Sequence, residues 1–211
     1  MKVSLLDSMG SDLTVVNSAR VSFAKTKKKI DISDKNLIRY LATHNHWSPF
    51  AHTCLQFYIQ APMFVARQLA KHQIGLVWNE VSRRYVSSEP EYWQPNKKWR
   101  KAADDKKQGS SADLIPSQQI AEHTYTDACR HSVDSYKFLI SMGVCPEQAR
   151  AVLPVSIYTE WYWTGSVYAF SRVCNLRMAK DAQKETQDVV KEISFQCSSA
   201  FPISWAALDE G

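Results

Sequence analysis

The sequence predicts a single α+β domain over residues 1–211. Its 211 residues are enough for one sizeable hydrophobic core, and no internal repeat or domain boundary interrupts them. Segments with helical periodicity are interspersed with segments of alternating polarity, as expected for helices and strands in one mixed domain. The chain has six glycines and neither a GxGxxG nor a GxxxxGK[ST] motif. Phosphate binding by a Rossmann or P-loop glycine loop is therefore excluded.

The first third of the chain predicts one strand and two helices. Residues 1–9 carry the alternating apolar side chains of a strand, and Gly10 follows as a turn. Residues 12–24 predict a short helix or helix-turn. Ser33 is a plausible N-cap for a helix that continues to about residue 44.

The next segments predict a second strand followed by a helix. Residues 53–60 alternate apolar and polar side chains, which indicates a strand. A proline at the start of residues 62–72 favours a helix there. Helical spacing would place Gln68, Lys71 and His72 on one face of it.

The remainder of the chain predicts a loop, four helices and a strand. From about residue 88 to 117 the chain is polar and charged without apolar periodicity, which predicts a long surface loop. Residues 155–163 are rich in β-branched and aromatic side chains and predict a strand. The helices are predicted over residues 117–142, 146–153, 166–177 and 181–198.

Composition indicates a soluble globular protein of the cytoplasm (the host cytoplasm if the source is viral). Hydrophobic residues make up 45% and charged residues 22% of the chain. There is no apolar run of membrane-spanning length and no signal-peptide pattern, so no membrane association is expected. Five scattered cysteines without a CxxC motif predict reduced thiols. The net charge of +5 suits anionic small molecules but is too weak to indicate nucleic acid.

The most informative segment is residues 67–85, RQLAKHQIGLVWNEVSRRY. Cationic side chains alternate there with neutral hydrogen-bonding ones, whereas an ordinary solvated helix face mixes Lys with Glu. This combination favours a site that binds an anion and a flat, amide-bearing ring. The alternative is a surface helix whose charges have no function.

Three arginines of the C-terminal half extend this set. Arg150, Arg172 and Arg177 lie beside apolar, aromatic or neutral polar residues. Structural ion pairs would explain them equally well. Together with Arg84 and Lys71, however, they would hold a phosphate and a pyrimidine edge, each charge-assisted hydrogen bond contributing about 1.5–3 kcal/mol.

Two other chemistries are less favoured. His44, His46, His52 and Cys54 have a spacing that suits zinc, but the surrounding residues resemble a packed turn, and no metal is predicted. A cysteine nucleophile would need an activating motif, and no cysteine of the chain has one.

The segment around Lys71 resembles the signature of the flavin-dependent thymidylate synthases: Arg-His-Arg, a spacer, and Ser followed by Arg-Tyr. Here it is Lys71-His72-Gln73, then IGLVWNEV, then Ser82-Arg83-Arg84-Tyr85. Further segments resemble that family in the same order, namely residues 17–23, 44–52, 61–68, 149–154 and 175–177.

This resemblance implies a mixed α/β domain of the flavin-dependent thymidylate synthase type, assembled as a homotetramer with active sites at subunit interfaces. It implies reductive methylation of dUMP to dTMP, with methylenetetrahydrofolate as carbon donor and NADPH as reductant of a bound FAD. The implied dUMP-binding residues are Gln68, Lys71, Glu80, Ser82, Arg83, Arg84, Arg150 and Arg177, of which Arg177 is the implied catalytic residue. The implied FAD-binding residues are Ser48, Lys71, His72, Gln73, Glu80, Ser166 and Arg172, with His46 near the folate.

The chain departs from the family pattern at three places. Lys71 and Gln73 stand where the signature has arginines, so two bidentate groups become a point charge and a neutral amide. The spacer before Ser82 is one residue longer, which predicts a bulge. Ser166 and Arg172 stand where asparagine is common. We therefore hypothesise that Arg172 provides the charged phosphate ligand that the neutral Gln73 does not.

Two functional alternatives stay open on the sequence. One is a non-catalytic module that binds nucleotides or nucleic acid through these arginines, Trp93, Trp99, Trp161 and the basic segment 97–107. The other is an enzyme that uses a cysteine nucleophile and no flavin. Bound flavin would distinguish the predicted enzyme from both alternatives.

Overall fold

A computed structural model describes residues 1–86, 88–96, 98–103 and 109–209. The chain forms one mixed α/β domain around an antiparallel sheet with strand order β1-β2-β6-β3. These strands are β1 Lys2–Met9, β2 Cys54–Pro62, β3 Leu76–Glu80 and β6 Tyr158–Gly165. A separate two-stranded hairpin pairs β4 Arg100–Ala102 with β5 Ser110–Leu114.

Helices build the rest of the domain. They are α1 Asp12–Arg20, α2 Ile32–Thr43, α3 Ser48–Ala51, α4 Met63–Leu69, α5 Gln118–Ser141, α6 Pro146–Ala149, α7 Val167–Arg177, α8 Lys184–Ala200 and α9 Pro202–Asp209. Short 3-10 turns follow α1 and α6, at Val21–Phe23 and Arg150–Val152. Within the described ranges, no helix is both long and apolar enough to cross a bilayer.

One face of the sheet forms the core. Alternate residues of β2 (Leu55, Phe57 and Ile59) are fully buried, as the alternating sequence predicts. On β6, Trp161 and Trp163 extend the same face, and apolar side chains of α1, α2, α4, α7, α8 and α9 pack onto it. The opposite face is more polar and open to solvent. Because the helices pack on the buried face, the ends of the strands have fixed positions relative to the helices.

The start of α2 shows how local sequence fixes one junction. The N-cap is Asp31, not Ser33, because the Asp31 carboxylate accepts hydrogen bonds from the amides of Ser33 and Asp34. Asp34 is buried and pairs with Arg20 at 2.6 Å and Lys27 at 2.9 Å. Burial alone would raise the pKa of Asp34, but hydrogen bonds from Lys27 and Arg20 hold it below its ordinary value.

Most predicted elements are present, with two differences of consequence. Helix α4 ends at Leu69, so Lys71 and His72 lie in the turn after it and not on its face. The predicted bulge before Ser82 is absent, because residues 76–80 form β3 in unbroken register with β6. The positive φ of 75° at Gly75 makes the turn that leads into this strand.

The sequence did not predict the strands β3, β4 and β5 or the helices α3 and α9. The region assigned to a surface loop contains the β4–β5 hairpin, and helix α9 follows α8 at the end of the described chain. Parts of the predicted basic segment, Lys97 and residues 104–107, lie outside the described residues.

Candidate active site

A cavity of about 1070 Å³ lies beside the end of β3 and the turn after α6. Five residues that the sequence assigned to the nucleotide line it: Glu80, Ser82, Arg83, Arg84 and Arg150. The sequence assigned no role to other members of its wall, among them Arg67, Glu147 and Glu160. Of these three residues, only Arg67 could have been identified from the sequence, because it lies in the cation-rich segment 67–85.

The turn after β3 places Ser82, Arg83 and Arg84 at the wall of this cavity. The amides of Tyr85 and Val86 donate to the Ser82 carbonyl at 3.0 and 3.2 Å, which closes the turn. The Arg84 amide and Nε both lie 3.3 Å from the Ser82 hydroxyl. The Arg84 guanidinium lies 5.2 Å from the centroid of the Tyr85 ring, a cation–π distance that restrains the side chain.

Three arginines of this cavity form no ion pair among the described residues, although Glu80, Glu147 and Glu160 also line its wall. Arg150 sits on the 3-10 turn after α6 and donates from Nε to the Glu147 carbonyl at 3.3 Å. In the described part of the chain, no carboxylate lies within 4.0 Å of Arg83, Arg84 or Arg150. Three unpaired guanidinium groups around one cavity suit a phosphate, which accepts bidentate hydrogen bonds.

Glu80 is held in one orientation at the edge of the cavity. Its Oε1 accepts from the buried Thr159 hydroxyl at 2.6 Å, and its Oε2 accepts from Trp78 Nε1 at 3.2 Å. Trp78 is itself stacked on Trp161, with ring centroids 4.4 Å apart. A carboxylate restrained in this way is a fixed hydrogen-bond acceptor for a ligand donor.

A second group of predicted residues gathers at the junction of α4 and α7. Arg177, at the end of α7, donates from Nε to His72 Nε2 at 2.9 Å and from Nη2 to the Gln68 carbonyl at 3.1 Å. That carbonyl is among the last of α4, where helix carbonyls lack intrahelical partners and attract cations. Burial, and then the charges of Arg177 and Arg172, lower the pKa of His72. A neutral imidazole is therefore favoured.

Two smaller cavities adjoin this second group. Lys71, His72, Gln73 and Arg172 line one of about 150 Å³. Arg172 also borders another of about 500 Å³, which His46, Trp47 and Tyr168 line. No carboxylate of the described residues lies within 4.0 Å of Lys71 or Arg172. These cations and aromatic rings suit the phosphates and flat rings of a dinucleotide such as FAD.

The two serines assigned to FAD lie outside these cavities. Ser166 caps α7, its hydroxyl accepting from the Ala169 amide at 3.2 Å, and Ser48 is exposed on α3. The smallest cavity is also below the usual size of a ligand pocket, about 300–1,000 Å³. Neither of the two smaller cavities therefore encloses a whole dinucleotide within the described chain.

The predicted nucleotide residues also do not converge within one chain. Gln68, Lys71 and Arg177 are absent from the wall of the large cavity. His72 precedes β3 and Glu80 is its last residue, and the five residues of this strand span about 13 Å at about 3.3 Å per step. The structure thus divides the residues predicted to bind dUMP into two groups. One surrounds Arg84 and suits a phosphate, and the other surrounds Arg177.

The five cysteines offer no nucleophile to these cavities. None of them lines any of the three, and Cys129, Cys174 and Cys197 are buried. Burial raises the pKa of the Cys174 and Cys197 thiols, which opposes thiolate formation. The described residues contain no cluster of three or more His, Cys, Asp or Glu side chains placed to hold a metal ion.

Comparison with known proteins gives concordant matches. Residues 4–203 match the family described as "Thymidylate synthase complementing protein". The chain is 36% identical to the flavin-dependent thymidylate synthase of Thermus thermophilus, covering 99% of this chain and 75% of that protein. It is 39% identical to the enzyme of Thermosipho africanus, covering 90% and 82%. The solved structure of the UMP/dUMP methylase PolB from Streptomyces cacaoi bound with 5-Br dUMP is similar, with a TM-score of 0.89, 30% identity and coverage of 99% and 94%.

Proposed function

The chain belongs to the family of flavin-dependent thymidylate synthases, and from that premise we propose that it converts dUMP to dTMP. It is a flavin-dependent methyltransferase. In the proposed reaction, methylenetetrahydrofolate supplies the carbon and NADPH supplies the hydride by way of FAD. The flavin provides the redox chemistry, and the protein binds and orients the reactants.

The large cavity is the observation that carries this proposal. Arg83, Arg84 and Arg150 line it without an ion-pair partner among the described residues and would hold the 5′-phosphate of dUMP. Glu80, fixed by Thr159 and Trp78, would accept a hydrogen bond from the nucleoside. The same cavity argues against a cysteine mechanism, because no thiol faces it.

Arg177 is the proposed catalytic residue. Its Nε and Nη2 are engaged by His72 and Gln68, which leaves Nη1 without a protein partner in the described chain. A guanidinium held from one side presents its other edge to a uracil carbonyl. There it would stabilise the negative charge that develops on the ring as C5 becomes nucleophilic.

The FAD proposal rests on the group around Arg172. Lys71, His72 and Arg172 would hold the pyrophosphate, and His46 with Trp47 and Tyr168 would face flat rings of the flavin or folate. Arg172 borders both smaller cavities, which supports its proposed substitution for Gln73 as a phosphate ligand. Ser48, Gln73, Glu80 and Ser166 remain proposed contacts of the same cofactor.

We further propose that neighbouring protomers complete each active site. The Arg84 group and the Arg177 group lie beyond opposite ends of β3, so one dUMP would contact them on two different chains. A homotetramer with closed symmetry would supply this arrangement. The five free thiols support a reducing, cytoplasmic location.

An omission assay tests the proposed function. Purified protein is incubated with dUMP, FAD, NADPH and methylenetetrahydrofolate, and dTMP is measured with each component left out in turn. We expect dTMP only in the complete mixture, and dTMP formed without FAD by flavin-free protein would contradict the proposal. Because one similar structure is of a UMP/dUMP methylase, UMP is assayed in parallel, with dUMP expected as the better substrate.

A further inference from the structure

The β4–β5 hairpin is joined to the interior of the domain through Arg100. The Arg100 Nε donates to the Ser110 hydroxyl of the paired strand at 2.6 Å, and Nη2 donates to Glu185 Oε1 at 2.7 Å. Glu185 is the second residue of α8, and its side chain is only 6% exposed. Among the described residues, Arg100 is the one cation within 4.0 Å of this carboxylate. A buried carboxylate depends on such a partner.

Hydrogen bonds continue from Glu185 to the residue that holds Arg177. Gln183 Nε2 donates to Glu185 Oε2 at 3.0 Å, and Gln68 Nε2 donates to Gln183 Oε1. The Thr186 hydroxyl donates to Gln68 Oε1 at 3.1 Å, so both ends of the Gln68 amide are fixed. The Gln68 carbonyl in turn accepts from Arg177 Nη2 at 3.1 Å.

We propose that Arg100 is a positioning residue for Arg177, and that the hairpin thereby sets the geometry of the catalytic guanidinium. This inference rests on the proposed function, in which Arg177 contacts the uracil of dUMP. Without Arg100 the buried Glu185 would lose its counter-charge and turn toward water, and Gln183 would lose its acceptor. The Gln68 end of α4 would then be free to shift. A displacement of about 1 Å at a catalytic group is enough to lower a rate substantially.

A double-mutant cycle tests this coupling. Binding of dUMP to the FAD-loaded protein is measured by calorimetry for the parent, Arg100→Met, Arg177→Ala and the combined variant. We expect Arg100→Met to weaken dUMP binding about tenfold in the parent, and less than about twofold once Arg177 is already absent. A residue that merely stabilised the fold would weaken binding equally in both backgrounds.

The chain offers matched variants for this cycle. Lys101→Met removes the same charge from the neighbouring position of β4, which is exposed, and should leave dUMP binding unchanged. Arg100→Lys keeps a cation for Glu185 and should retain affinity within about threefold. Gln183→Met breaks the same line of hydrogen bonds while leaving the Arg100–Glu185 ion pair intact. If Arg100→Met folds poorly, Gln183→Met takes its place in the double-mutant cycle with Arg177→Ala.

Titration of His72, followed by NMR in the absence of any ligand, separates this inference from the proposed function. Burial lowers the His72 pKa, and the charge of Arg177, which donates to His72, lowers it further. Release of Arg177 in Arg100→Met should therefore raise the His72 pKa toward its ordinary value. Failure of the parent to bind dUMP would refute the proposed function and leave this readout intact. An unchanged His72 titration in Arg100→Met, unchanged dUMP affinity, or equal losses in both backgrounds would overturn the positioning role.

Discussion

Arg177 has the strongest individual claim to catalysis, because the protein fixes two of its nitrogens and leaves a third free. We predict that Arg177→Ala abolishes dTMP formation while the reduction of bound flavin by NADPH stays within about twofold of the parent rate. Reduction is followed as bleaching of the flavin absorbance. Arg130→Ala serves as a charge-matched control on the exposed surface of α5, away from all three cavities. Normal turnover by Arg177→Ala would remove this residue from the catalytic role.

Protonation of His72 should produce an acid limb in the pH–rate profile, that is, a fall in the rate of dTMP formation at acidic pH. Its pKa lies below the ordinary value of about 6.5, so its Nε2 accepts from Arg177 at neutral pH and loses that capacity when protonated. As the pH falls through the lowered pKa, both dTMP formation and the stabilisation from this contact should decline. We predict that His72→Gln, which keeps a neutral acceptor, flattens the rate profile below about pH 6.5. An acid limb identical to that of the parent would contradict this assignment.

Thr159 should act on dUMP through Glu80. Its buried hydroxyl donates to Glu80 at 2.6 Å, so Thr159→Val keeps the shape but leaves the carboxylate held by Trp78 alone. We predict that the dUMP concentration for half-maximal rate rises about fivefold, equivalent to about 1 kcal/mol for the removal of one hydrogen bond. Thr159→Ser retains the donor and should resemble the parent. If both variants bind dUMP equally well, the hydroxyl has no role in orienting Glu80.

At the scale of elements, β3 separates the two groups of functional residues, and its packing against β6 leaves little space. A Cβ added at Gly165 would lie 2.5 Å from Leu76 Cδ2 and 2.8 Å from the Gly75 carbonyl oxygen. We predict that Gly165→Ala displaces β3 and lowers the free energy of unfolding in urea by about 1–3 kcal/mol. Affinity for dUMP should fall with it, because Glu80 and Ser82 lie at the end of that strand.

The neighbouring Thr164→Ser is the control for this prediction, since Thr164 lies on the half-exposed side of the same strand and serine keeps the hydroxyl that accepts from Gln56 Nε2. It should change neither stability nor dUMP affinity appreciably. If Gly165→Ala keeps the stability and the dUMP affinity of the parent, the prediction is wrong, and the close packing of β3 against Gly165 does not determine the position of Glu80 and Ser82.

Local sequence predicted the elements whose signal is local. Strand β2 alternates strictly, and α8 carries a continuous apolar stripe, so both could be predicted. Strand β3 could not, because it forms through pairing with β6, about 85 residues away in the chain, and only Leu76 and Trp78 are apolar on its inner face. Asp31 and Ser33 are both suitable N-cap residues. Asp31 is the N-cap of α2 because its backbone is extended there and its carboxylate accepts from the following amides, which the sequence alone does not reveal.

The candidate site, too, could be predicted only in part. The residues from Ser82 to Arg84 could be grouped from their adjacency, and the structure brings Arg150 to them. The contacts of Arg177 with His72 and of Arg100 with Glu185 join residues 105 and 85 positions apart. No local pattern encodes such contacts, so the sequence could predict the residue types of the site but not its division into two groups.

At the scale of the whole molecule, the central claim is that two chains build each active site. Arg84 and Arg150 line one cavity, Arg177 lies with His72 beyond the other end of β3, and one uridylate is proposed to contact both groups. Such a site is incomplete in an isolated protomer. The claim therefore makes activity a property of the assembly.

Subunit complementation tests this claim most directly. The Arg84→Ala/Arg150→Ala double variant and Arg177→Ala, each nearly inactive alone, are co-expressed with different tags, and assemblies that carry both tags are purified. If each site takes one group from each of two chains, roughly one quarter of the sites in randomly mixed assemblies will have both groups intact and form dTMP. Activity no greater than the sum of the two pure variants would contradict the account, because both groups would then belong to one chain.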